Sequence, residues 1–358
     1  MAIRKFVLFF AIFLITSSCL QGKTMNNDAL KLLKKNVQKF NEHYEGKEID
    51  LNHVDLSGCK IKGAVLIGAN IKGSDLRKTK FISCNLTGSD ISGAILSKTL
   101  FEKSVLEKVT IKNSHLSNVQ FRFSSMKESD MSGSVFDECE TYKSTFSFSN
   151  LMNASFNKGY FYKSEIQSCN LQNSSIIGIV INDSNFIRSD LTDSTIEGKI
   201  IEDSSFGKST LVRTNFSGST FKGRLWSQPS FLATNAVNSN FSKCRIYGVD
   251  FSHANLENAD FTDSSLELVE ISNGNLKNTN FTKCYFTHLN IGKANLENTN
   301  FTDVIFTGNL QAGKAKFNNT NFTGVKGKLE KVNLKNTIYE KTGLPIGPYN
   351  VDYGPPKK

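Results

Sequence analysis

Between residues 51 and 306 a large apolar side chain recurs at every fifth position in one unbroken phase. The series opens Leu51, Leu56, Ile61, Leu66, Ile71, Leu76, Phe81, Leu86 and closes Leu296, Phe301, Phe306. Of its 52 positions only Thr141 and Ala236 are not Leu, Ile, Phe, Met or Trp. A helix repeats every 3.6 residues and a strand every two, so neither produces this spacing. Two residues before each large position stands a small one. It is Ala, Ser, Thr, Cys, Val or Gly in 46 of 52 cases, the departures being Ile49, Ile179, Lys199, Arg224, Pro229 and Leu289. One small and one large inward residue in a strict five-residue phase means that the chain turns by the same angle every five residues and stacks upon itself. An elongated repeat array of this kind also suits 358 residues, more than one compact core usually holds.

Stretches such as Ala254-Asn255-Leu256-Glu257-Asn258 and Ala259-Asp260-Phe261-Thr262-Asp263 resemble pentapeptide repeats of the A(D/N)LXX type. The resemblance implies an all-β solenoid, a right-handed quadrilateral β-helix with four pentapeptides per coil and about 13 coils. At ~4.8 Å per coil the rod would be ~62 Å long. Residues 20 apart would lie above one another. One face would then carry a phenylalanine ladder through Phe81, Phe101, Phe121, Phe161, Phe221, Phe241, Phe261, Phe281 and Phe301. The domain reading that follows is a signal peptide over 1–18, a linker and N-terminal capping helix over 19–48, the β-helix over 49–308, irregular terminal repeats over 309–340 and a tail over 341–358.

The two ends differ from the body. Arg4 and Lys5 precede an apolar run from Phe6 to Ile15 that is too short to span a bilayer, so it reads as the core of a signal peptide. Thr16-Ser17-Ser18 before Cys19 resembles the lipobox of bacterial lipoproteins, with Thr16 where Leu is usual. The resemblance implies lipid on Cys19, the alternative being an ordinary cleaved signal. Leu20 after Cys19 favours the outer membrane or cell surface by the same resemblance. Leu30, Leu33, Val37, Phe40 and Tyr44 follow 3,4,3,4 spacing with Asn27 or Asp28 as N-cap, which predicts one helix that closes the first coil. A partner-binding helix is the alternative for this segment. After Phe306 the phase slips by one to Phe317 and Phe322, then by two to Leu334 and Tyr339. Pro345, Pro348, Pro355 and Pro356 then predict that the tail leaves the ladder.

Charge narrows the function classes. Lys and Arg total 43 against 33 Asp and Glu, a formal +10, yet residues 51–306 hold 26 against 25 and residues 307–358 hold 9 against 3. A near-neutral body argues against a phosphate-tracking groove, so no specific nucleic-acid partner is expected. It also opposes the gyrase-protecting members of the resembled family, which act as acidic DNA mimics.

Candidate chemistry mostly dissolves into the repeat. Cys59, Cys84, Cys139, Cys169, Cys244 and Cys284 all fall at the small inward position, at separations unsuited to disulfides, and read as buried free thiols. The five histidines never take metal-ligand spacing, so neither a metal nor a cofactor is expected. Asp and Asn recur just before the inward residue, where they bond to nearby backbone, and no acid pair stands out. The chain therefore reads as non-enzymatic.

Two places depart from the pattern. Lys199, Arg224, Pro229 and Ala236 break it within 38 residues, which predicts a bulge or protruding loop around Arg224–Pro229. Arg122, Tyr142 and Tyr162, spaced 20 apart, are expected to stack on one face beside Phe123, Lys143 and Lys163, with Tyr160 adjoining. This mixture suits an unidentified macromolecule, protein or glycan. Thr141 suggests that Tyr142 slips inward to replace the missing large residue. The reading that results is an exported, envelope-anchored rigid scaffold; a secreted glycan-binding solenoid or an enzyme on a solenoid is the alternative. Metabolic labelling with palmitate should mark the wild type and spare Cys19→Ala, and equal labelling of the two would exclude lipid on Cys19.

Overall fold

The computed structural model describes residues 27–223, 230–333 and 351–352. Cys19, Leu334, Tyr339, the four tail prolines and Arg224–Pro229 lie outside the described residues. Every strand pairing is parallel, and pairs such as Asp50↔Asn70, Asn70↔Asp90 and Lys60↔Lys80 stand 20 residues apart. The chain forms an all-parallel β-solenoid of about 13 turns.

The five-residue phase comes from a repeated corner. The residue two places after a large inward side chain has positive φ, as at Gly58 (69°), Lys78 (59°) and Asn258 (58°), Gly198 being an exception. The amide three places after the large residue then closes a turn onto its carbonyl, as Cys59 N–H does on Leu56 (3.0 Å). A left-handed residue costs a non-glycine side chain about 1–2 kcal/mol. The offset comes from the coil above: Lys78 N–H donates to the Ser97 carbonyl (2.9 Å), and Asn258 N–H to that of Lys277 (2.9 Å). Asp and Asn at the preceding outward position accept an amide two residues on, as Asp260 does from Thr262 (3.0 Å).

Inside, the small residue has a specific task. Its hydroxyl donates to the carbonyl of the large residue 23 places earlier, one coil below, as Ser129 does to Leu106 (2.8 Å) and Thr279 to Leu256 (2.8 Å). The cysteines take the same place: Cys169 Sγ reaches the Phe146 carbonyl at 3.0 Å and Cys284 Sγ that of Phe261 at 2.8 Å. All six are free thiols, five buried and Cys59 half-buried. The expected burial of Cys59 fails because the first coil has no coil beneath it at that corner.

The phenylalanine ladder is split rather than continuous. Ser205 pairs with Ser230 and Thr220 with Arg245, 25 residues apart instead of 20. Lys222 is level with Glu202, and Ser230 with Ser205, so eight residues cover what three cover one coil below. This five-residue excess moves later rings to a different face. Phe221 sits under Ile246, whereas Phe241 stacks on Phe216 (4.9 Å, 8°) and continues through Phe261, Phe281, Phe301 and Phe322 at 4.8–5.0 Å. Around the insertion Phe216, Phe221, Phe231 and Phe241 are all in ring contact with one another. Ala236 lies between Phe231 and Phe241 on the same coil and is fully buried, the small residue that such crowding tolerates. Lys199 is not inward after all: it is exposed, and Gly198 takes the buried slot.

The N-terminal cap is two helices rather than one. Residues 27–35 (α1) and Val37–Tyr44 (α2) are separated at Asn36, whose extended backbone (φ −154°) lets its side chain cap α2 by accepting Lys39 N–H (2.9 Å). Asn27 and Asp28 lie within the helical stretch instead of capping it. Ala29, Leu33 and Phe40 are buried, while Leu30, Val37 and Tyr44 are partly so. Asn41 closes the open edge: its amide donates to Gly63 O and accepts from Val65 N, both at 2.9 Å, as a neighbouring strand would.

At the other end the one-residue slip falls between Thr287 and Leu289 of one coil, where Leu289 pairs with Leu310 instead of residue 309. The tail does not simply leave the ladder, because Val351–Asp352 pairs in parallel with Val332–Asn333.

Native alkylation should label Cys59 and leave Cys84, Cys139, Cys169, Cys244 and Cys284 until unfolding, when all six react without reductant; other buried sites labelling as fast as Cys59 would contradict this packing. Burial pushes the thiols of Cys139, Cys169, Cys244 and Cys284 up to about 12. The unfolded chain releases these protons near pH ~8.5. Their stabilising contribution is therefore complete below that pH and lost as pH rises through the folded values.

Candidate functional site

The outward residues of one face, followed coil by coil, bring the expected residues together. Arg122, Tyr142 and Tyr162 are successive register partners on the strands Gln120–Arg122, Val135–Tyr142 and Ser155–Tyr162. Tyr142 stacks on Tyr162 with ring centroids 5.5 Å apart and planes 13° apart, and Phe123 meets Tyr142 edge-on at 5.2 Å. Lys143 Nζ stands over Phe123 (5.8 Å) and Tyr142 (5.5 Å), and Lys163 Nζ over Tyr162 (5.4 Å), both within cation–π range. Two exposed ion pairs border the group, Arg122 with Glu140 at 3.9 Å and Lys163 with Asp183 at 3.7 Å. At that exposure they add little stability but fix where the cationic heads lie.

Tyr142 does not slip inward. It remains half-exposed, and Thr141 itself fills the core slot, its hydroxyl 2.8 Å from that of Ser164. The missing bulk is made up elsewhere. Phe146 turns edge-on to both Phe121 and Phe161, and Ile179 is buried although it holds a small-residue position. A cavity of about 10 Å³ remains, bordered by Thr141, Cys139, Phe161 and Ile179.

Strands lengthen on three consecutive coils here. Val135–Tyr142, Ser155–Tyr162 and Ser175–Asn182 run as eight-residue strands across corners at Glu138 (φ 54°), Lys158 (51°) and Gly178 (66°). Gly159 follows one such corner with φ 126°, and a Cβ there would collide with the Cys139 carbonyl oxygen. Only glycine suits this position. The adjoining Tyr160 is more than half exposed, and the same column continues through Val180 to Ile200, partners at successive coils. Val180 and Ile200 extend the patch beyond the residues expected from sequence. Their signal was present in the 20-residue offset from Tyr160, but aliphatic side chains at outward positions do not announce a surface. Phe148, 65% exposed, stands at a different corner and is not part of it.

Among the described residues no group of three or more His, Cys, Asp or Glu side chains could hold a metal ion, and no helix is long and apolar enough to cross a membrane.

The family model for pentapeptide repeats matches eight copies, over residues 49–88, 84–119, 233–263 and 264–308. This chain carries pentapeptide repeats. The matches fall on either side of the stretch from Gln120 to Leu232, which keeps the 20-residue register up to Lys222, includes the five-residue excess, and holds Thr141, Gly159, Lys199 and the aromatic patch. No curated protein matches the sequence significantly. Among solved structures, HetL, a pentapeptide repeat protein involved in heterocyst differentiation regulation from Nostoc sp. strain PCC 7120, is 18% identical. It covers 70% of this chain and 96% of its own, with a TM-score of 0.30. Trypsin-treated QnrB1, a plasmid-mediated fluoroquinolone resistance protein, is also 18% identical, covering 65% and 88% at a TM-score of 0.26. The A-module of the mannuronan C-5 epimerase AlgE6 from Azotobacter vinelandii is 8% identical, covering 86% and 93% at 0.29. These values are too low to transfer a function.

Gly159→Ala should destabilise the rod by roughly 1–3 kcal/mol in urea unfolding. Gly58→Ala, at an open corner with φ 69° and nothing within 4 Å of its Cβ, should cost less. Equal losses would show that Gly159 is an ordinary corner.

Proposed function

We propose that this pentapeptide-repeat rod is a non-catalytic scaffold, exported and held at the cell envelope by lipid on Cys19, which presents the face around Phe123, Tyr142, Tyr160 and Tyr162 to a macromolecular partner. The observation that carries this reading is an exposed aromatic surface on consecutive coils of a stacked core. Phe123 is 47%, Tyr160 54% and Tyr162 37% exposed, although these rings gain nothing for the fold by facing solvent. Large rigid anchors on a preorganised frame lose little conformational freedom on binding. Several acyl chains at the N-terminus hold a protein stably at a membrane, whereas one holds it only marginally.

Pentapeptide repeat proteins are generally non-enzymatic. Here the recurrent acidic side chains are engaged in the corners, as Asp90 and Asp190 are with Ser92 and Thr192, which removes them as obvious acid–base pairs. Protection of gyrase by imitation of DNA is the rival reading, and the 26 basic against 25 acidic residues of the coils oppose it, since such imitation requires a dense negative surface.

Replacing Phe123 and Tyr162 by Ala should leave the melting profile nearly unchanged, because neither ring fills a core slot. Partner capture from native membranes should weaken by roughly 1–3 kcal/mol per anchor. Capture equal to wild type would remove the patch from the proposed function.

A further inference from the structure

Winding at 20 residues per coil sorts the nearly balanced charges by face. On the face whose inner row runs Ile61, Phe81, Phe101, Phe121, the outward and corner positions of the first coils carry Lys60, Lys62, Lys78, Lys80, Lys98 and Lys103. All six are exposed, none is in an ion pair with another described residue, and the one carboxylate among them is Glu102. Lys143, Lys158 and Lys163 carry the stripe up to the aromatic patch, past Glu138 and Glu140. Above it the face is mixed, Asp183, Glu202 and Asp203 alternating with the exposed Lys199 and Lys222. The stripe thus runs over six coils, five coil-to-coil rises or roughly 24 Å at ~4.8 Å per rise.

We infer that this face binds a linear acidic polysaccharide lying along the rod axis, its carboxylates on the lysine rows and its chain running up to the Tyr142–Tyr162 stack. The inference rests on the proposed scaffold role and names the partner's chemistry. Unpaired like charges held in register repel one another, and a polyanion relieves that repulsion without first breaking protein ion pairs. The aromatic residues favour an anionic chain over stacked bases. Tyr142 and Tyr162 cover each other's faces, Phe123 packs against Tyr142, and Lys143 and Lys163 stand over the rings. Faces within this stack are thus taken up by neighbouring rings and lysines, whereas base binding needs open ring faces.

The test measures equilibrium binding of the full chain to polygalacturonate, with dextran and oligothymidylate as comparison probes, at low and high salt. Two quadruple variants are compared, with folding of each checked by circular dichroism. One replaces Lys78, Lys98, Lys103 and Lys158 by Glu. The other replaces Lys108, Lys208, Lys293 and Lys314 by Glu at corners of the opposite face; all eight lysines have positive φ, so net charge and backbone demand are matched. Polygalacturonate should bind the wild type, weaken with salt, and lose about tenfold or more on the stripe variant alone. Equal loss in both variants, or tighter binding of oligothymidylate than of polygalacturonate at the same salt, would overturn the inference. If polygalacturonate fails to bind while partner capture still depends on Phe123 and Tyr162, the polysaccharide is excluded and the scaffold role stands.

Discussion

Backbone hydrogen bonding from each coil to the next is the interaction on which the rest of this molecule depends. The corners that make a five-residue side place a residue at positive φ again and again, often Lys, Asn or Asp instead of Gly. In isolation that conformation is unfavourable. It persists because the amide of each corner residue has an acceptor on the adjacent coil, and because the residues on either side of it continue the ladder. Corner, ladder and core row are thus one cooperative unit, and no single coil satisfies its own backbone. A solenoid of this kind gains stability coil by coil from its neighbours.

The core obeys the same vertical logic. Hydroxyls and thiols of the small positions bond to carbonyls one coil below, so the polar groups that five-residue winding brings inside are satisfied by it. Large residues stack mostly on other large residues, and where phenylalanine follows phenylalanine, rings 4.8–5.4 Å apart follow from the rise of one coil. Where a row is broken, volume is exchanged between coils. Thr141 and Gly159 remove bulk, Ile179 and the edge-on Phe146 return it, and Ala236 yields space to four crowded rings. Both ends answer the edge problem with side-chain or chain substitutes for a missing coil: the Asn41 amide at one, Val351–Asp352 at the other.

Function, on the proposed reading, comes from the disturbed stretch. The coils from Gln120 onward depart from the regular repeat, carry longer strands across their corners, and turn rings outward on the face that also gathers the lysines. A regular solenoid is uniform along its length, so a distinct surface requires a local departure. The glycine at position 159 is one such departure, since it lets the strand pass the Cys139 carbonyl with Tyr160 facing solvent.

The amino-acid sequence by itself determined the solenoid. A five-residue phase has no other economical explanation, and the 20-residue coil then placed Arg122, Tyr142 and Tyr162 in one column, as the register pairs have it. It also pointed to the interval between Lys222 and Ser230, where the register gains five residues, but not to what that excess does to the rows above it. Counting in steps of 20 carried Phe221 onto Phe241. The coils instead carry Phe216 there, because five extra residues re-index every later position and a one-dimensional phase of five is blind to an insertion of five. The same blindness affected charge. Summed along the chain the coils are nearly neutral, and only winding gathers the unpaired lysines of the first coils on one face. Lys199 was misplaced for a related reason: an inward slot is defined by local backbone path, and Gly198 can take it without altering the count. Periodicity fixes which residues share a row, while the tertiary structure decides which rows meet and which side of each residue faces water.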